Sequence, residues 1–368
     1  MRIFHRCTRR LRFCSALLLP GLLLLLAGCA AKVEPIFFPS PPAPPRVQLL
    51  TSFYNEGSLR NNAMLTFLLG DEYSGSFSKA YGLAFHNGQL YIADSGKASQ
   101  GLGIVDFEKH KIEYVQTGLS KPINVSIDTD GTTYVCDLGE DQLPGIAVFD
   151  AGHHFIRRMT LDTASGFYPT SSLIIGDELL VADPKNNLIH VLDKQTGAQL
   201  KTFGADDQLG WPTHLSPTPD GNILITETGA QTLRLYSADG QVRSRIGQPG
   251  DRAGTFARPK ATAVDHDGNI YVVDVAFQNV QILNQEGKSL MYFGAAPGGQ
   301  ALTMPAGIAI TYDRMDIFQP YAAPDFTLEY VIAVSSQGGI ANSSKITLYG
   351  FGKAAGYDYT IPEQSTEQ

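Results

Sequence analysis

Residues 211–247 read WPTHLSPTPDGNILITETGAQTLRLYSADGQVRSRIG, and residues 258–294 read RPKATAVDHDGNIYVVDVAFQNVQILNQEGKSLMYFG. The two stretches align without a gap, so that Pro212 matches Pro259 and the tetrapeptide Asp-Gly-Asn-Ile occurs at the same place in both. Self-similarity at a fixed period is the sequence signature of a repeat architecture. The repeat therefore decides the fold class before any local pattern is considered.

The same unit occurs six times in the chain. Its copies start at Ala80, Pro122, Pro169, Pro212, Pro259 and Pro305. Each unit of about 45 residues holds a short apolar strand, a turn such as Asp-Gly-Asn, a β-rich strand, a polar turn and two further strands. Four antiparallel strands in that length are typical of a propeller blade. The sequence predicts an all-β, six-bladed β-propeller over residues 47–355, followed by a C-terminal tail at 356–368.

The ring of blades needs to be closed, because an open terminal blade would leave a strand edge exposed. Residues 64–70, MLTFLLG, match the last strand of a blade but precede the first one. We expect this N-terminal segment to supply the outermost strand of the sixth blade. The sequence leaves open whether residues 47–53 add a fifth strand there.

The N-terminus has the features of an export signal. Five arginines precede an uncharged apolar run from Ser15 to Ala27. At roughly 13 residues the run is shorter than the ~20 that span a bilayer, which favours a cleaved signal over an anchor helix. The following Leu-Ala-Gly-Cys at 26–29 resembles the lipobox of bacterial lipoproteins, which implies signal cleavage after residue 28 and a lipid on Cys29. The alternative is an ordinary secreted protein with a chance cysteine.

Residues 29–46 are predicted to be a stalk. Six prolines lie between positions 35 and 45, and such density favours extended polyproline II. The alternative is a ligand for a proline-recognising module. Ala30 and Ala31 replace the aspartate that commonly retains lipoproteins at the inner membrane. The expected location is therefore the outer membrane of a bacterial cell envelope.

Charge and cysteine content exclude several classes. The chain has 28 Lys+Arg and 36 Asp+Glu, and loss of residues 1–28 leaves 23 cations and a net charge of −13. Phosphate contacts need clustered cations, so no nucleic-acid partner is expected. Of four cysteines only Cys136 would stay free in the mature chain, so no intramolecular disulfide is expected. Its Val-Cys-Asp context indicates a buried strand thiol.

The blades resemble NHL repeats, whose pattern is Pro-x-Gly-[Ile/Val]-Ala followed by Gly-x-[Ile/Leu]-Tyr-Val-[Ala/Val]-Asp. Residues 305–309, Pro-Ala-Gly-Ile-Ala, copy the first part, and residues 270–274, Ile-Tyr-Val-Val-Asp, copy the second. The resemblance covers about residues 64–353 and is specific for fold rather than function, because propellers host many activities. The chain is most similar to bacterial NHL lipoproteins, which often accompany multihaem cytochromes. That resemblance implies a redox assembly as partner.

An acidic residue ends the second strand of five blades. The series is Asp94, Asp137, Asp183, Glu227 and Asp274. In blade six Ala333-Val334 is expected at this place. A ring of carboxylates could bind a metal at the central channel. We favour a structural interpretation, in which each acid accepts backbone N–H bonds in a repeated turn.

A catalytic centre would belong at the channel. Some propeller enzymes, such as amidating lyases and gluconolactonase-like hydrolases, hold zinc or calcium there. His214 and Asn124 lie on predicted inner strands and are the metal-ligand candidates, whereas His86 and His266 lie on loops. A catalytic zinc site needs three protein ligands, so the sequence predicts no cofactor and no catalytic residue. A metal-dependent hydrolase or lyase is kept as the alternative function.

Blade six departs from the repeat through an insertion at 313–326. The insertion carries four large apolar side chains beside acids: Met315, Phe318, Tyr321 and Phe326. This composition is typical of a partner-binding surface, because aromatic side chains supply large contact areas. The alternative is that the segment folds back over its own blade. The sequence thus predicts a membrane-anchored, protein-binding scaffold whose acidic surface suits cationic envelope proteins.

Overall fold

The computed structural model describes residues 34–60, 76–97, 100–140, 143–297, 299–338 and 344–359. Within them the chain forms six antiparallel sheets, five of four strands and one of five. In every blade the repeat unit supplies consecutive strands that pair with their neighbours in sequence. The predicted six-bladed propeller is confirmed.

The first three blades contain strands β3 to β14. Blade one consists of β3 (Ala80–His86), β4 (Gln89–Asp94), β5 (Gly101–Asp106) and β6 (Lys111–Val115). Blade two consists of β7 (Pro122–Ile127), β8 (Thr133–Asp137), β9 (Gly145–Phe149) and β10 (Phe155–Met159). Blade three consists of β11 (Ser171–Ile175), β12 (Glu178–Asp183), β13 (Leu188–Asp193) and β14 (Gln199–Phe203).

The next two blades repeat this arrangement, and the last is larger. Blade four consists of β15 (Pro212–Pro217), β16 (Ile223–Glu227), β17 (Thr232–Tyr236) and β18 (Val242–Ile246). Blade five consists of β19 (Pro259–Val264), β20 (Ile270–Asp274), β21 (Asn279–Leu283) and β22 (Ser289–Phe293). Blade six consists of β23 (Pro305–Thr311), β24 (Phe326–Ser336) and β25 (Lys345–Ala354), together with the N-terminal strands β1 (Ile36–Phe38) and β2 (Val47–Phe53).

An N-terminal strand closes the ring, as predicted, but a different segment does so. Strand β2 pairs antiparallel with β25, so that Val47 lies opposite Phe351 and Phe53 opposite Ile346. Residues 47–53 therefore hold the place expected for residues 64–70, which lie outside the described residues. The buried ring of Phe53 also packs on Phe107 of blade one, with ring centres 5.9 Å apart. Strand β2 thus joins the last blade to the first.

Part of the predicted stalk belongs to the propeller. Strand β1 pairs with β2, and the ring of Phe37 packs against Phe326 at 5.5 Å between centres. Phe38 packs against Phe293 of blade five at 6.2 Å. Apolar side chains at 36–38 stabilise a fifth strand, which the proline count of the segment did not reveal.

The core is divided into six apolar clusters, one at each interface between neighbouring blades. Blades pack through both faces, so the middle strands are buried along their whole length, as in the BBBBB pattern of β8 and β20. Cys136 lies in the cluster between blades two and three, and burial raises the pKa of its thiol to about 12. No helix in the described part of the chain is both long and apolar enough for a membrane crossing.

The first strand of each blade lies innermost. Strands β3, β7, β11, β15, β19 and β23 adjoin one another in a ring, and β23 returns to β3. They line a central channel. All six first strands begin at the same end of the channel, because every blade repeats the same connectivity, and we call that end the channel mouth.

Candidate functional site

The residue that directly precedes each repeat start, at or near the beginning of the first strand, defines the rim of the channel mouth. Counted from the six repeat starts, the rim residues are Lys79, Lys121, Tyr168, Trp211, Arg258 and Met304. Three are cations, two are aromatic and one is methionine. This composition differs from that of the chain as a whole, which is acidic.

The repeated acids hold the rim in place. The Asp137 carboxylate accepts the backbone N–H of Ser120 at 2.7 Å and of rim residue Lys121 at 3.0 Å. It also accepts the N–H of Gly139, in the turn after its own strand, at 2.8 Å. A buried carboxylate with three N–H donors is satisfied without a metal. The geometry is that of a structural clamp between the rim and the second strand.

Equivalent clamps occur around the ring. The N–H of Lys79 donates to Asp94 at 2.7 Å, and the N–H of Arg258 donates to Asp274 at 3.1 Å. In blade four Glu227 accepts the N–H of Gly210 at 2.8 Å and also forms an ion pair with Arg234. Blade three differs, since Asp183 accepts the N–H groups of Lys185 and Asn186 and contacts His190 at 3.2 Å. Burial opposes ionisation of Asp183, but hydrogen bonds from His190 and Asn186 outweigh it and lower its pKa.

In blade six a serine takes the place of the acid. Ser336 pairs with Pro305 as Asp274 pairs with Pro259, and its hydroxyl accepts the N–H of Thr303 at 3.4 Å. The sequence prediction put this position at Ala333-Val334, two to three residues too early. Strand β24 has eleven residues and continues to Ser336. The equivalence is supported by a second bond. The N–H after Ser336, that of Gln337, donates to the carbonyl of Met304 at 3.2 Å, as the N–H after Asp137 donates to Lys121 at 3.0 Å.

Two rim residues place large apolar side chains in solvent. Trp211 is 46% exposed and Met304 is 48% exposed. Both have left-handed backbone conformations, with φ of 58° and 47°. A residue other than glycine in this region costs about 1–3 kcal/mol, and such strain clusters at functional sites. The N–H of Trp211 is fixed by the side-chain oxygen of Asn187 in blade three, at 3.0 Å.

Below the rim the channel contains a pocket with a volume of about 130 Å³. Residues of all six blades contribute to it. The side chains that matter for recognition are Tyr81, Asn124, Tyr168, Trp211, His214 and Lys260. Blades one and six contribute Gly82, Ala306 and Gly307 to its wall in addition to Tyr81.

Lys260 is the main charge in the pocket. Its Nζ lies 5.9 Å from the centre of the Tyr81 ring, and the Nζ of Lys79 lies 5.7 Å from the same ring. Burial, together with the positive charges of Arg258 and Lys79, lowers the pKa of Lys260. Among the described residues no carboxylate forms an ion pair with Lys260. Lys260 therefore adds positive charge to the pocket without a counter-ion from the described residues.

His214 stands next to Lys260 and is neutral. Burial, and to a lesser degree the charge of Lys260, lowers the pKa of His214 to about 4. Its Nδ1 accepts the backbone N–H of Thr262 at 3.4 Å and lies 3.3 Å from the hydroxyl of Ser216. The neutral ring consequently carries its proton on Nε2, which is left as a hydrogen-bond donor.

The structure brings His214 and Asn124 to the same pocket, but the donor set does not fit a divalent metal ion. It contains one histidine, one amide and a lysine ammonium, which would repel a cation. The described residues contain no group of three His, Cys, Asp or Glu side chains placed to hold a metal ion. His86 lies at the other end of β3, and His266 stacks on Tyr312 with ring centres 3.6 Å apart, away from the pocket.

The insertion of blade six folds back on the propeller. It forms helix α2 (Met315–Phe318) and a 3₁₀ helix (Gln319–Tyr321), whereas the short helix α1 (Glu56–Leu59) follows β2. Phe318 and Phe326 are buried, and the ring of Phe318 packs on Phe107 at 5.1 Å. Met315 and Tyr321 are partly buried. Two of the four predicted contact residues are therefore core residues, because their rings fill the interface between blades six and one.

Sequence reasoning missed the rim and Lys260. The rim position directly precedes the proline that starts most repeats, so the aligned repeats already contained its identity. Lys260 gave no comparable signal, because an isolated lysine in a sequence is expected on the surface.

Comparisons with known proteins agree with the fold. No family model matches the chain. Among curated proteins, brain tumor of Drosophila melanogaster is 29% identical over 126 residues, or 33% of this chain and 12% of that protein. Human E3 ubiquitin-protein ligase NHLRC1 is 24% identical over 114 residues, or 30% of this chain and 29% of that protein. The chain thus spans less than a third of the length of these relatives. Both are NHL-repeat proteins, in agreement with the NHL-like pattern of the blades.

Solved structures with the same fold include bacterial proteins. An auxiliary nutrient binding protein from Bacteroides thetaiotaomicron has a TM-score of 0.56 and 15% identity, covering 74% of this chain and 70% of that one. A gluconolactonase from Xanthomonas campestris has a TM-score of 0.55 and 13% identity, covering 85% and 97%. Virginiamycin B lyase from Staphylococcus aureus has a TM-score of 0.51 and 12% identity, covering 76% and 97%. At such identities the likeness concerns the fold alone. The chain is a six-bladed β-propeller with NHL-like blades.

Proposed function

We propose that the chain is a binding scaffold of the bacterial cell envelope, held at the outer membrane by a lipid on Cys29, and that it binds a protein partner at the channel mouth. The observation that carries the proposal is the rim, where Trp211 and Met304 are exposed in strained backbone conformations. Tryptophan, tyrosine and arginine dominate the binding energy of protein interfaces. The rim presents all three, on a rigid ring of strands.

The charge of the rim indicates what kind of partner fits. Lys79, Lys121 and Arg258 stand around the mouth, and Lys260 lies just inside it. Of these, Lys121 forms an ion pair with Glu140 at 3.6 Å, so the positive charge offered to a partner comes from the other three. A partner at this face would present acidic groups, because complementary charge speeds encounter and fixes orientation. The cationic partner expected from the net charge of the chain does not fit the rim. A multihaem cytochrome, the partner that the NHL resemblance implies, fits this face only through an acidic patch.

Cys29 lies outside the described residues, so the anchor rests on the sequence. A lipid-modified cysteine would keep the scaffold at the membrane surface, where its partners are concentrated. The test is fractionation of cells that carry the natural chain or Cys29→Ser. We expect the natural chain in the outer-membrane fraction and the variant in the soluble fraction. Equal membrane association of both chains would contradict lipid anchoring.

The alternative function, a metal-dependent hydrolase or lyase, is disfavoured by Lys260. Burial and, to a lesser degree, the ammonium group lower the pKa of His214, the only histidine among the described residues that line the pocket. The same ammonium group would stand beside any bound cation. Two like charges in a partly dehydrated pocket repel strongly. The same ammonium favours an anionic group, which is what an acidic partner offers.

The partner proposal is tested by cross-linking in the native cell, mild-detergent purification and mass spectrometry. We compare the natural chain with Arg258→Glu, which reverses a charge on the rim, and with Arg243→Glu. The latter is a matched control, since Arg243 is an exposed residue of outer strand β18. A partner captured by the natural chain and Arg243→Glu, and lost with Arg258→Glu, supports the rim. Capture that is equal in all three chains contradicts it. Deleting residues 313–326 is no substitute, since it would remove two buried phenylalanine rings.

A further inference from the structure

We propose that the pocket inside the channel mouth is a binding site for a small organic carboxylate with a flat apolar body. This inference goes beyond the proposed scaffold function, because it concerns a small molecule and the interior of the channel rather than a protein at the rim.

Three of the polar side chains that line the pocket can donate hydrogen bonds to a ligand. Lys260 offers an ammonium group, and His214 offers Nε2–H because its Nδ1 accepts the N–H of Thr262. The side-chain oxygen of Asn124 accepts the backbone N–H of Ser172 at 3.5 Å, which leaves its amide NH₂ for the pocket. One cationic and two neutral donors are complementary to a carboxylate, which is an acceptor only.

Glycines in the pocket wall let neighbouring first strands approach one another closely. A Cβ atom on Gly82 would stand 2.7 Å from Nδ2 of Asn124, and one on Gly307 would stand 2.1 Å from the carbonyl oxygen of Tyr81. Glycine is therefore required at both places for the strands to approach. The pocket volume of about 130 Å³ is close to that of a protein cavity of about 150 Å³ that binds benzene, so the pocket is of the size of a small aromatic carboxylate.

The aromatic side chains indicate the body of the ligand. Trp211, Tyr168 and Tyr81 line the pocket. Binding pockets combine such apolar walls with a few placed polar groups that fix orientation. A flat ring or chain would contact the aromatic faces while its carboxylate meets Lys260.

The electrostatics of the mouth support the same ligand charge. Burial lowers the pKa of Lys260, and the charges of Arg258 and Lys79 lie close enough to lower it further. The nearest repeated acid of blade five, Asp274, is engaged by the backbone N–H groups of Ala257 and Arg258. A bound anion would relieve the repulsion among the cations, which a neutral ligand of the same shape would not.

The chain contains one tryptophan, Trp211, so its fluorescence reports on the mouth without labelling. The purified full chain in detergent is titrated with benzoate and with benzamide, which has the same shape without the charge. We expect saturable quenching by benzoate and at least tenfold weaker binding of benzamide. Equal binding of the two compounds, or no saturable binding of benzoate, would overturn the proposal.

Variants test the role of the lysine. Lys260→Met should weaken benzoate binding at least tenfold and leave benzamide binding unchanged, whereas Lys260→Arg should stay within about threefold of the natural chain. Lys288→Met is the control, because Lys288 is exposed between β21 and β22. Circular dichroism verifies folding of each variant. Unchanged benzoate binding in folded Lys260→Met would refute the site.

A titration with hexaglutamate distinguishes the proposed partner site on the rim from the proposed carboxylate site in the pocket. If hexaglutamate binds and benzoate does not, the mouth belongs to an acidic protein partner and the small-carboxylate site is refuted. If benzoate binds through Lys260 while Arg258→Glu captures partners normally, the pocket stands and the rim proposal fails.

Discussion

Acidification is expected to destabilise the propeller through His214. Burial and the neighbouring charge of Lys260 lower the pKa of this histidine from 6.5 to about 4 in the folded chain. As the pH falls below 6.5 the unfolded chain binds a proton that the folded chain does not, so stability is lost between pH 6.5 and 4. The difference of about 2.5 units corresponds to about 3 kcal/mol at most.

The assay is urea-induced unfolding of the natural chain and of His214→Gln at pH 7 and pH 4.5. Other groups also titrate in this range, so the informative quantity is the difference between the two chains. We expect the natural chain to lose about 2–3 kcal/mol more than His214→Gln between the two pH values. His154→Gln, which changes a histidine that is 82% exposed, serves as the control and should follow the natural chain. An equal loss in the natural chain and His214→Gln would refute the account of the pocket.

Three further predictions concern the scaffold around the site. Asp137→Asn should lower the free energy of unfolding by about 3 kcal/mol in thermal unfolding, because an amide replaces a charged acceptor of three N–H groups. The control Asp177→Asn changes an exposed residue and should alter the free energy of unfolding by less than about 0.5 kcal/mol. Phe318→Ala should lower the free energy of unfolding by about 3–5 kcal/mol, because the ring is fully buried. Met315→Ala should lower it clearly less, as measured in the same thermal unfolding assay. The Cys136 thiol should resist an aromatic disulfide at pH 8 until urea is added, as followed by peptide mass spectrometry.

The repeat predicted the blades, because each unit has its own turns and alternation and the ring follows from six copies. It did not identify the closing strand. Residues 47–53 and 64–70 are both apolar segments with high strand propensity, and pairing with β25 depends on contacts such as Phe53 with Phe107 that only the closed ring creates. Local sequence cannot rank two such segments.

The insertion shows a different limit of sequence reasoning. The insertion at 313–326, which contains Phe318 and Phe326, has the composition of a protein interface. Composition does not tell whether an aromatic ring faces a partner or packs on its own blade. The structure places both rings in the core.

The candidate site was only partly predictable. The acids were expected to accept backbone N–H bonds, and the structure adds that those bonds fix the rim residues. The sequence predicts His214 and Asn124 on inner strands. Lys260 lies on inner strand β19 and lines the pocket, but a single lysine in a sequence is expected on the surface.

The central claim is that the channel mouth is the binding face of the scaffold. Its most direct test is a photo-reactive amino acid placed at position 211, in cells that otherwise contain the natural chain. The matched control is the same group at position 292, since Tyr292 is an exposed aromatic residue of outer strand β22. The account predicts a discrete cross-linked partner from position 211 and none from position 292. A partner cross-linked from position 292 alone would contradict it.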